Sequence, residues 1–596
     1  MPHSEIRELC ERVDAARLMA HVTEFARRIK LSGTPEELES FAYLRAQLDA
    51  LGFATDLILH DAYISLPREA RLTVLGRAMT CITHSFSQPS AAGGTRGTVV
   101  YVGNGTDADF ANRDVRGRIA LVEGIANPAA SLRASRAGVI GQIHVSPHEH
   151  IHEMCISPVW GSPSHETRAD LPRAVVLSVS QADGHAIRDA LARGETVDAV
   201  LEANVDTGWR KTPILVAEMA SASAAADEPF VLFSGHHDTW HYGVMDNGTA
   251  NATMLEVARI CASSRAGWQR GLRLCFWSGH SHGRYSGSSW YVDENWDELD
   301  RRCVAHVNVD STGGRGATVL EDAQSAAELR ALAREAIGER AGQTLTGRRM
   351  SRAGDQSFWG VGLPAMFMSL SEQSAATATN VAGPVMGGGA PRKGGGLGWW
   401  WHTPADLIDK IDPELLARDT RVYVHTLTRL LQDRVLPLEY ADHAADFLAE
   451  LSNLQQKLGD RFDLTPIVER TRTLQSGAAK LRTMGDAAGV NAALMALSRA
   501  LVPIEYTTGD RFGHDPALGQ SSCPPLDPVR ALASAPPDSD EARFLTVAAR
   551  RSRNRVCHAL DQANAILARL QSAAPAQTER SSAQGTARAR VESLAT

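Results

Sequence analysis

Several common features are missing from this sequence, and each absence narrows the answer. Its eight cysteines (10, 81, 155, 261, 275, 303, 523 and 557) form no CxxC pair, which fits reduced thiols and not a disulfide framework. There is no excess of positive charge: 61 Lys and Arg against 69 Asp and Glu give a net −8. That balance argues against nucleic acid or an anionic membrane as a partner. No apolar run is read as long enough to span a bilayer. The opening MPHSEIRELCERVDAARL is charged throughout and lacks the apolar stretch of a secretory signal, so a cytoplasmic protein is expected. What is present is length and histidine. The chain has 596 residues, 43% hydrophobic and 22% charged, with 21 histidines. It is long enough for three to four globular domains.

The first segment reads as helical. Thr34-Pro35-Glu36-Glu37 is a capping box with proline at the first helical position, and Leu38, Phe41, Leu44, Leu48 and Leu51 follow at helical spacing up to Gly52. Residues 61–214 carry short β-rich runs such as TVVYVG (98–103) and RIALVEG (118–124) between Gly and Asn/Asp turns. From 215 to 415 short apolar strands alternate with helical stretches: FVLFS (230–234), RLCFW (273–277), VAHVNV (304–309) and PAMFMSL (364–370), with helices over 249–262 and 324–337. That alternation predicts an α/β domain with a mostly parallel sheet flanked by helices. Residues 416–575 read as helices, and 576–596 as a polar, disordered tail.

The sharpest motif is SGHHDTWHYGVMDNGTANATMLEVARI (234–260), which begins where the strand FVLFS ends. Functional groups in open α/β sheets gather at the carboxyl ends of strands. His236 lies ten residues before Asp246, with Asp238 between them; VAHVNV delivers Asp310, and the loop WWWHTPADLID delivers His402. Imidazoles and carboxylates converging from separate strand ends are what a divalent transition metal needs.

This pattern of HxD, a ten-residue gap to Asp-Asn, a strand ending in FW, a later N-x-D and a final H-T-x-x-D resembles the zinc aminopeptidase and glutamate carboxypeptidase family. The transferrin receptor is a non-catalytic relative of that family. The resemblance implies a zinc-exopeptidase-like catalytic domain (1–60 and 215–415) and a protease-associated insert (61–214). It further implies a helical domain (416–575) through which two copies would form a homodimer. It implies His236 and Asp310 on one metal, Asp246 bridging to a second that His402 also binds, and Asp238 accepting the other ring N–H of His236. Zinc is the metal expected, with one or two ions, and Mn, Fe or Ni compatible with the same ligands.

One stretch departs from the family. Where the family has F-x-x-W-x-x-Glu-Glu-x-G, this chain reads CFWSGHSHGRYSGSSWY (275–291), with His280 and Ser281 in place of the two glutamates and one extra residue near Tyr285–Ser286. Three readings compete. His280 replaces the base while His282 or Ser281 replaces the lost ligand; or a single metal binds and His280 and His282 act as acid–base groups; or the chain is a binding protein without catalysis. Histidine suits proton transfer near neutral pH and is a good ligand, so His280 is expected as proton carrier and His282 as ligand. Asp355 and Ser357, in a segment that lines the family's pocket, are candidates for substrate contacts. So are His150 and His152 of HVSPHEHIHEMC (144–155), although a solvated loop explains those histidines equally well. The glycine-rich residues 383–398 read as a lid ahead of His402. The function expected is a metal-dependent hydrolase cleaving an amide bond of a peptide or small molecule. The alternatives are other C–N bond chemistry or a non-catalytic binding protein.

Overall fold

The structure, a computed structural model, describes residues 3–111, 113–223, 225, 227–376 and 393–592, with side chains to 572. Residues 383–392 of the lid expected over 383–398 lie outside the described residues. Twelve strands form one continuous sheet: β1 (Ala54–Val74), β2 (Arg77–Met79), β3 (Cys81–Thr83), β4 (Thr95–Tyr101), β5 (Ile119–Glu123), β6 (Gly141–Val145), β7 (Val175–Val179), β8 (Asp198–Met219), β9 (Phe230–His236), β10 (Gly271–Trp277), β11 (Cys303–Asn308) and β12 (Ala365–Met366). The order is β12-β11-β9-β10-β8-β4-β5-β6-β7-β3, with β1 laid against β8. In one half of the sheet β12, β11, β9 and β10 are parallel, and β8 closes them antiparallel. Every residue of β9, β10 and β11 is buried, as unbroken apolar strands covered by helices on both faces require.

The expected boundaries at 61 and 214 fall inside single strands. β1 and β8 pair from Ala54↔Glu218 to Val74↔Ala199, with one irregularity between Pro67 and Glu69. The insert therefore joins that half of the sheet through a two-stranded ribbon, not a loop. It is more than β-rich: β4 to β7 are parallel, with helices Asp107–Ala111 and Pro128–Ala137 crossing from β4 to β5 and from β5 to β6, and Gln181–Ala192 leading from β7 to β8.

The N-terminal helix forms as its cap predicts. Thr34 Oγ1 accepts from the Glu37 amide at 3.4 Å and Pro35 opens the helix Pro35–Ala50. The Glu37 carboxylate reaches back to the Gly33 amide at 2.7 Å, one residue before the cap.

Other expectations need correction. PAMFMSL yields only a two-residue strand, because Phe367 takes a φ of +64° and leaves the ladder. The helix expected over 324–337 begins only at Arg330. The helix Pro413–Gln432 buries Leu416, Tyr423, Leu427 and Leu431 in the same core as Phe233 and Phe276, so it packs against the β9–β10 layer although the sequence places a boundary at 416. Helices Tyr440–Leu458, Thr465–Ala479, Ala487–Tyr506, Asp527–Ser534 and Asp540–Glu592 build the C-terminal bundle. The last of these extends over 576–592 of the stretch expected to be disordered, where alanine, arginine and glutamine favour helix, and 593–596 lie outside the described residues. Ala487–Tyr506 is long and apolar enough to cross a membrane by length and composition alone, contrary to the sequence reading. Its Val490, Leu494, Leu497 and Leu501 are buried in the bundle core.

Candidate metal centre

Four candidate ligands meet above the carboxyl ends of the parallel strands. His236 ends β9, Asp310 follows β11, Asp246 lies in the turn ahead of the helix Ala250–Ala262, and His402 comes from the loop before Pro413–Gln432. His236 Nε2 is 3.0 Å from Asp246 Oδ1 and 3.7 Å from Asp310 Oδ2, and His402 Nε2 is 3.1 Å from Asp246 Oδ2. Asp246 thus stands between the two imidazoles, one oxygen toward each. His236 Nε2 and Asp246 Oδ1 are buried and face each other at 3.0 Å without a well-formed hydrogen bond. A divalent cation would satisfy both, and the nitrogen and oxygen donors suit zinc or its neighbours. Burial by itself would keep His236 neutral, but Asp238, Asp246 and Asp310 override it and raise its pKa well above the ordinary value. Burial opposes ionisation of Asp246 too, and the imidazoles of His236 and His402 hold its carboxyl far below the usual range.

Backbone groups aim these side chains. His236 Nδ1 donates to the carbonyl of Asp238 at 2.9 Å. His402 Nδ1 donates to the carbonyl of Glu153, in the insert, at 2.7 Å. Each ring therefore turns Nε2 toward Asp246. The amides of Asn247 and Asn251 donate to the His236 carbonyl at 3.2 and 2.8 Å. Asp406 accepts from the amides of Met245 (2.9 Å) and Asp246 (3.0 Å), one on each oxygen. Burial pushes the Asp406 carboxyl up to about 7, partly offset by those two donors. The role expected of Asp238 changes here. Its carboxylate lies 3.6 Å from His236 Nδ1 and instead accepts from Ser32 Oγ (2.7 Å) and the amides of Ser281 (2.9 Å) and His280 (3.3 Å). It pins the altered loop, because those donors offer better geometry than the ring.

His280 lies flat on His236, ring centroids 3.7 Å apart and planes 10° from parallel. Its Nδ1 is 2.6 Å from Asp355 Oδ2. Asp355 Oδ1 accepts from Ser288 Oγ at 2.7 Å, Ser288 meets Ser357 Oγ at 2.9 Å, and Trp160 of the insert donates to Ser357 at 2.8 Å. Asp355 and Ser357, expected to touch substrate, are 1% and 3% exposed; they form the support beneath His280. His282, expected as a ligand, points the other way. Its Nδ1 meets Ser32 Oγ at 3.0 Å, its ring packs on Trp240, and burial lowers its pKa to about 4. The extra residue in this stretch coincides with left-handed backbone at Arg284 and Tyr285, φ +46° and +69°, a region bulky side chains rarely adopt.

A cavity of about 810 Å³ opens over the centre, lined by Asp246, His280, Asp310, His402, Trp240 and Arg352 among others. His150 and His152 do not line it. His150 stacks on Trp399 at 4.1 Å and His152 Nδ1 bonds the Trp401 carbonyl at 2.5 Å, so both brace the tryptophans that precede His402. His237 is a packing residue, with Nε2 on Ser40 Oγ and its ring between Phe25 and Phe41. The sequence reading gave no role to Asp406, although it is the aspartate of H-T-x-x-D, and none to Glu153, whose contribution is a backbone carbonyl.

Residues 215–427 match peptidase family M28. Among curated proteins, the chain is 25% identical over 345 residues to the probable glutamate carboxypeptidase VP8 of Zea mays, covering 47% of this chain and 48% of that protein. It is 22% identical over 363 residues to the probable glutamate carboxypeptidase AMP1 of Arabidopsis thaliana, covering 50% and 51%. The chain spans about half the length of the curated relatives it matches. Among solved structures it is similar to an aminopeptidase from Aneurinibacillus sp. strain AM-1, with a TM-score of 0.54, 20% identity, and 72% of this chain and 96% of that one covered. It is also similar to a zinc aminopeptidase from Bacillus subtilis, with a TM-score of 0.52, 18% identity and coverage of 71% and 96%. These two likenesses bear on the fold: a mostly parallel sheet flanked by helices.

Proposed function

We propose that the chain is a metal-dependent hydrolase that cleaves an amide C–N bond in a peptide or small-molecule substrate. One observation carries the reading. Asp246 is held between His236 and His402, with Asp310 beside them, on the floor of a cavity large enough for a small substrate. The match to peptidase family M28 over 215–427 supports it. A divalent ion bound there would polarise the scissile carbonyl and make a water nucleophilic near neutral pH. The chain's own residues do the rest. The Asp238 and Glu153 carbonyls fix the imidazole tautomers, and Asp406 fixes the turn that carries Asp246. Trp240 and Trp401 wall the cavity beside His402. His280 stands where the family keeps its base; with Nδ1 committed to Asp355, Nε2 is the atom left to face the centre.

The test is turnover of a panel of aminoacyl anilides, dipeptides and N-acyl amino acids by zinc-loaded and chelated protein. Hydrolysis should require the ion and disappear in Asp246→Asn. Turnover that survives both chelation and Asp246→Asn, or no amide cleaved by fully loaded protein, overturns the reading. The rival reading, a binding protein without catalysis, predicts no stoichiometric ion in purified material. Assembly as a homodimer through the C-terminal helices is part of the proposal. Supporting it, Phe544 and Val547, about one turn apart on Asp540–Glu592, are 71% and 46% exposed. A monomer by light scattering at micromolar concentration would remove that part.

A further inference from the structure

We infer that the centre takes one divalent ion per chain and that His280 is one of its ligands, not a free base. The inference rests on the metal centre proposed above and concerns how this chain's own residues fill it. His236, His280 and Asp310 each present a donor atom, and the three atoms lie within 4.8 Å of one another. Nitrogen and oxygen ligands of zinc sit about 2.0–2.2 Å from the ion, so an ion among these donors draws them together and turns the His280 ring out of its stack on His236. Asp246 Oδ1, 3.0 Å from His236 Nε2, completes four protein ligands.

Orientation points the same way. An imidazole that binds a metal through one nitrogen commonly gives its other N–H to a carboxylate. The 2.6 Å contact from His280 Nδ1 to Asp355 is that arrangement. Asp355 is itself buried and fixed by Ser288, so its effort goes into setting the tautomer and direction of His280. The same anchoring also suits a histidine that carries protons, so the choice between the two roles rests on the count of donors around the ion.

Among the described residues, the second position, between Asp246 Oδ2 and His402 Nε2, lacks a third donor. The residue that should supply it is Ser281. Its hydroxyl is buried with no hydrogen-bond partner, and a neutral hydroxyl is a poor substitute for a carboxylate. His282 faces Ser32, and the Glu153 carboxylate is held 3.1 Å from His241. Two protein donors, one of them shared, fall short of the three that catalytic zinc sites use. Replacing the glutamate pair thus subtracts a ligand from one position and adds one to the other.

The experiment strips the full chain with a chelator and titrates Zn²⁺ by calorimetry and by competition with a chromophoric chelator. Elemental analysis of the reloaded protein counts the ions. One ion per wild-type chain is expected. Asp355→Asn should weaken binding about 10–100-fold without changing the count, and His280→Ala should weaken it at least as much. Ser281→Glu should raise the count to two. Thermal unfolding of each chelated variant separates lost ligation from lost folding; if His280→Ala does not fold, Asp355→Asn and Ser281→Glu carry the test. Two ions in wild type, or unchanged affinity in folded His280→Ala and Asp355→Asn, overturns the inference. A single tight ion in a protein that hydrolyses no amide would overturn the hydrolase reading and leave this one standing.

Discussion

Asp406→Asn is a small substitution with a large expected effect. Asp406 is buried and uses each carboxylate oxygen once, for the amides of Met245 at 2.9 Å and Asp246 at 3.0 Å. A carboxamide has one oxygen. Whichever way it turns, one backbone N–H keeps an acceptor and the other faces an NH₂ group, donor against donor. Above about pH 7, where the raised Asp406 carboxyl is ionised, the loss is one hydrogen bond to a charged acceptor, about 1.5–3 kcal/mol, plus the cost of a buried amide left unpaired, about 1–3 kcal/mol. A destabilisation of roughly 2–4 kcal/mol follows, because part of the second cost is relieved by movement of the turn. That movement displaces Asp246, so zinc affinity should fall about 10–100-fold, the usual price of removing a support behind a ligand. Urea unfolding of chelated protein reads the first effect, and chelator competition reads the second. Asp406→Asn as stable as wild type and binding zinc as tightly would refute the claim that this carboxylate holds the turn.

Glu335 accepts from His425 at 2.9 Å and pairs with Arg429; His425 foremost, against the pull of burial, lowers its pKa from 4.5 to about 2. A depressed carboxyl stabilises the fold above its unfolded pKa and loses that contribution as pH falls through the folded one. Glu335→Gln should therefore be less stable than wild type above pH 5, with the gap in urea midpoint closing between about pH 4.5 and 2. A gap that stays constant there would assign the effect to packing. Phe41→Ala removes a fully buried ring that packs 4.7 Å from His237, the neighbour of His236. It should cost about 3–5 kcal/mol, measured by denaturant unfolding; a loss under 1 kcal/mol would mean the site collapses to fill the space. Phe544→Glu should shift the light-scattering mass from dimer to monomer and leave turnover per chain intact, and an unchanged mass would move the interface elsewhere.

The strand ends and their cargo were legible because apolar runs in a buried parallel sheet are continuous and short, and functional residues follow them directly. His236, Asp246, Asp310 and His402 come together as the spacing and resemblance implied. Direction was not legible. His280 and His282 are two residues apart on an irregular loop, and nothing local says that one faces His236 and the other Ser32. Support through the main chain leaves no trace in composition either. His402 is aimed by a carbonyl 249 residues away in the insert, and any residue at position 153 would offer that oxygen. Asp355 and Ser357 lie in the stretch associated with the pocket, but only the packed structure shows them beneath His280 and not facing substrate.

The pairing of β1 with β8 bears on how the chain is made. β1 leaves the ribosome complete, while its partner follows only after about 120 further residues, on the order of ten seconds at the usual ~5–20 residues per second. For that time most of a long strand, beyond the Leu72–Val74 end that β2 covers, waits without its partner, the condition that invites association with other chains. Its outer positions carry Asp56, Asp61, Arg68, Glu69 and Arg71, charges that discourage neighbouring copies from adding on. Once β8 arrives, the two strands clasp along their whole length. A single proteolytic cut between Val74 and Asp198 would then leave two fragments still gripping each other.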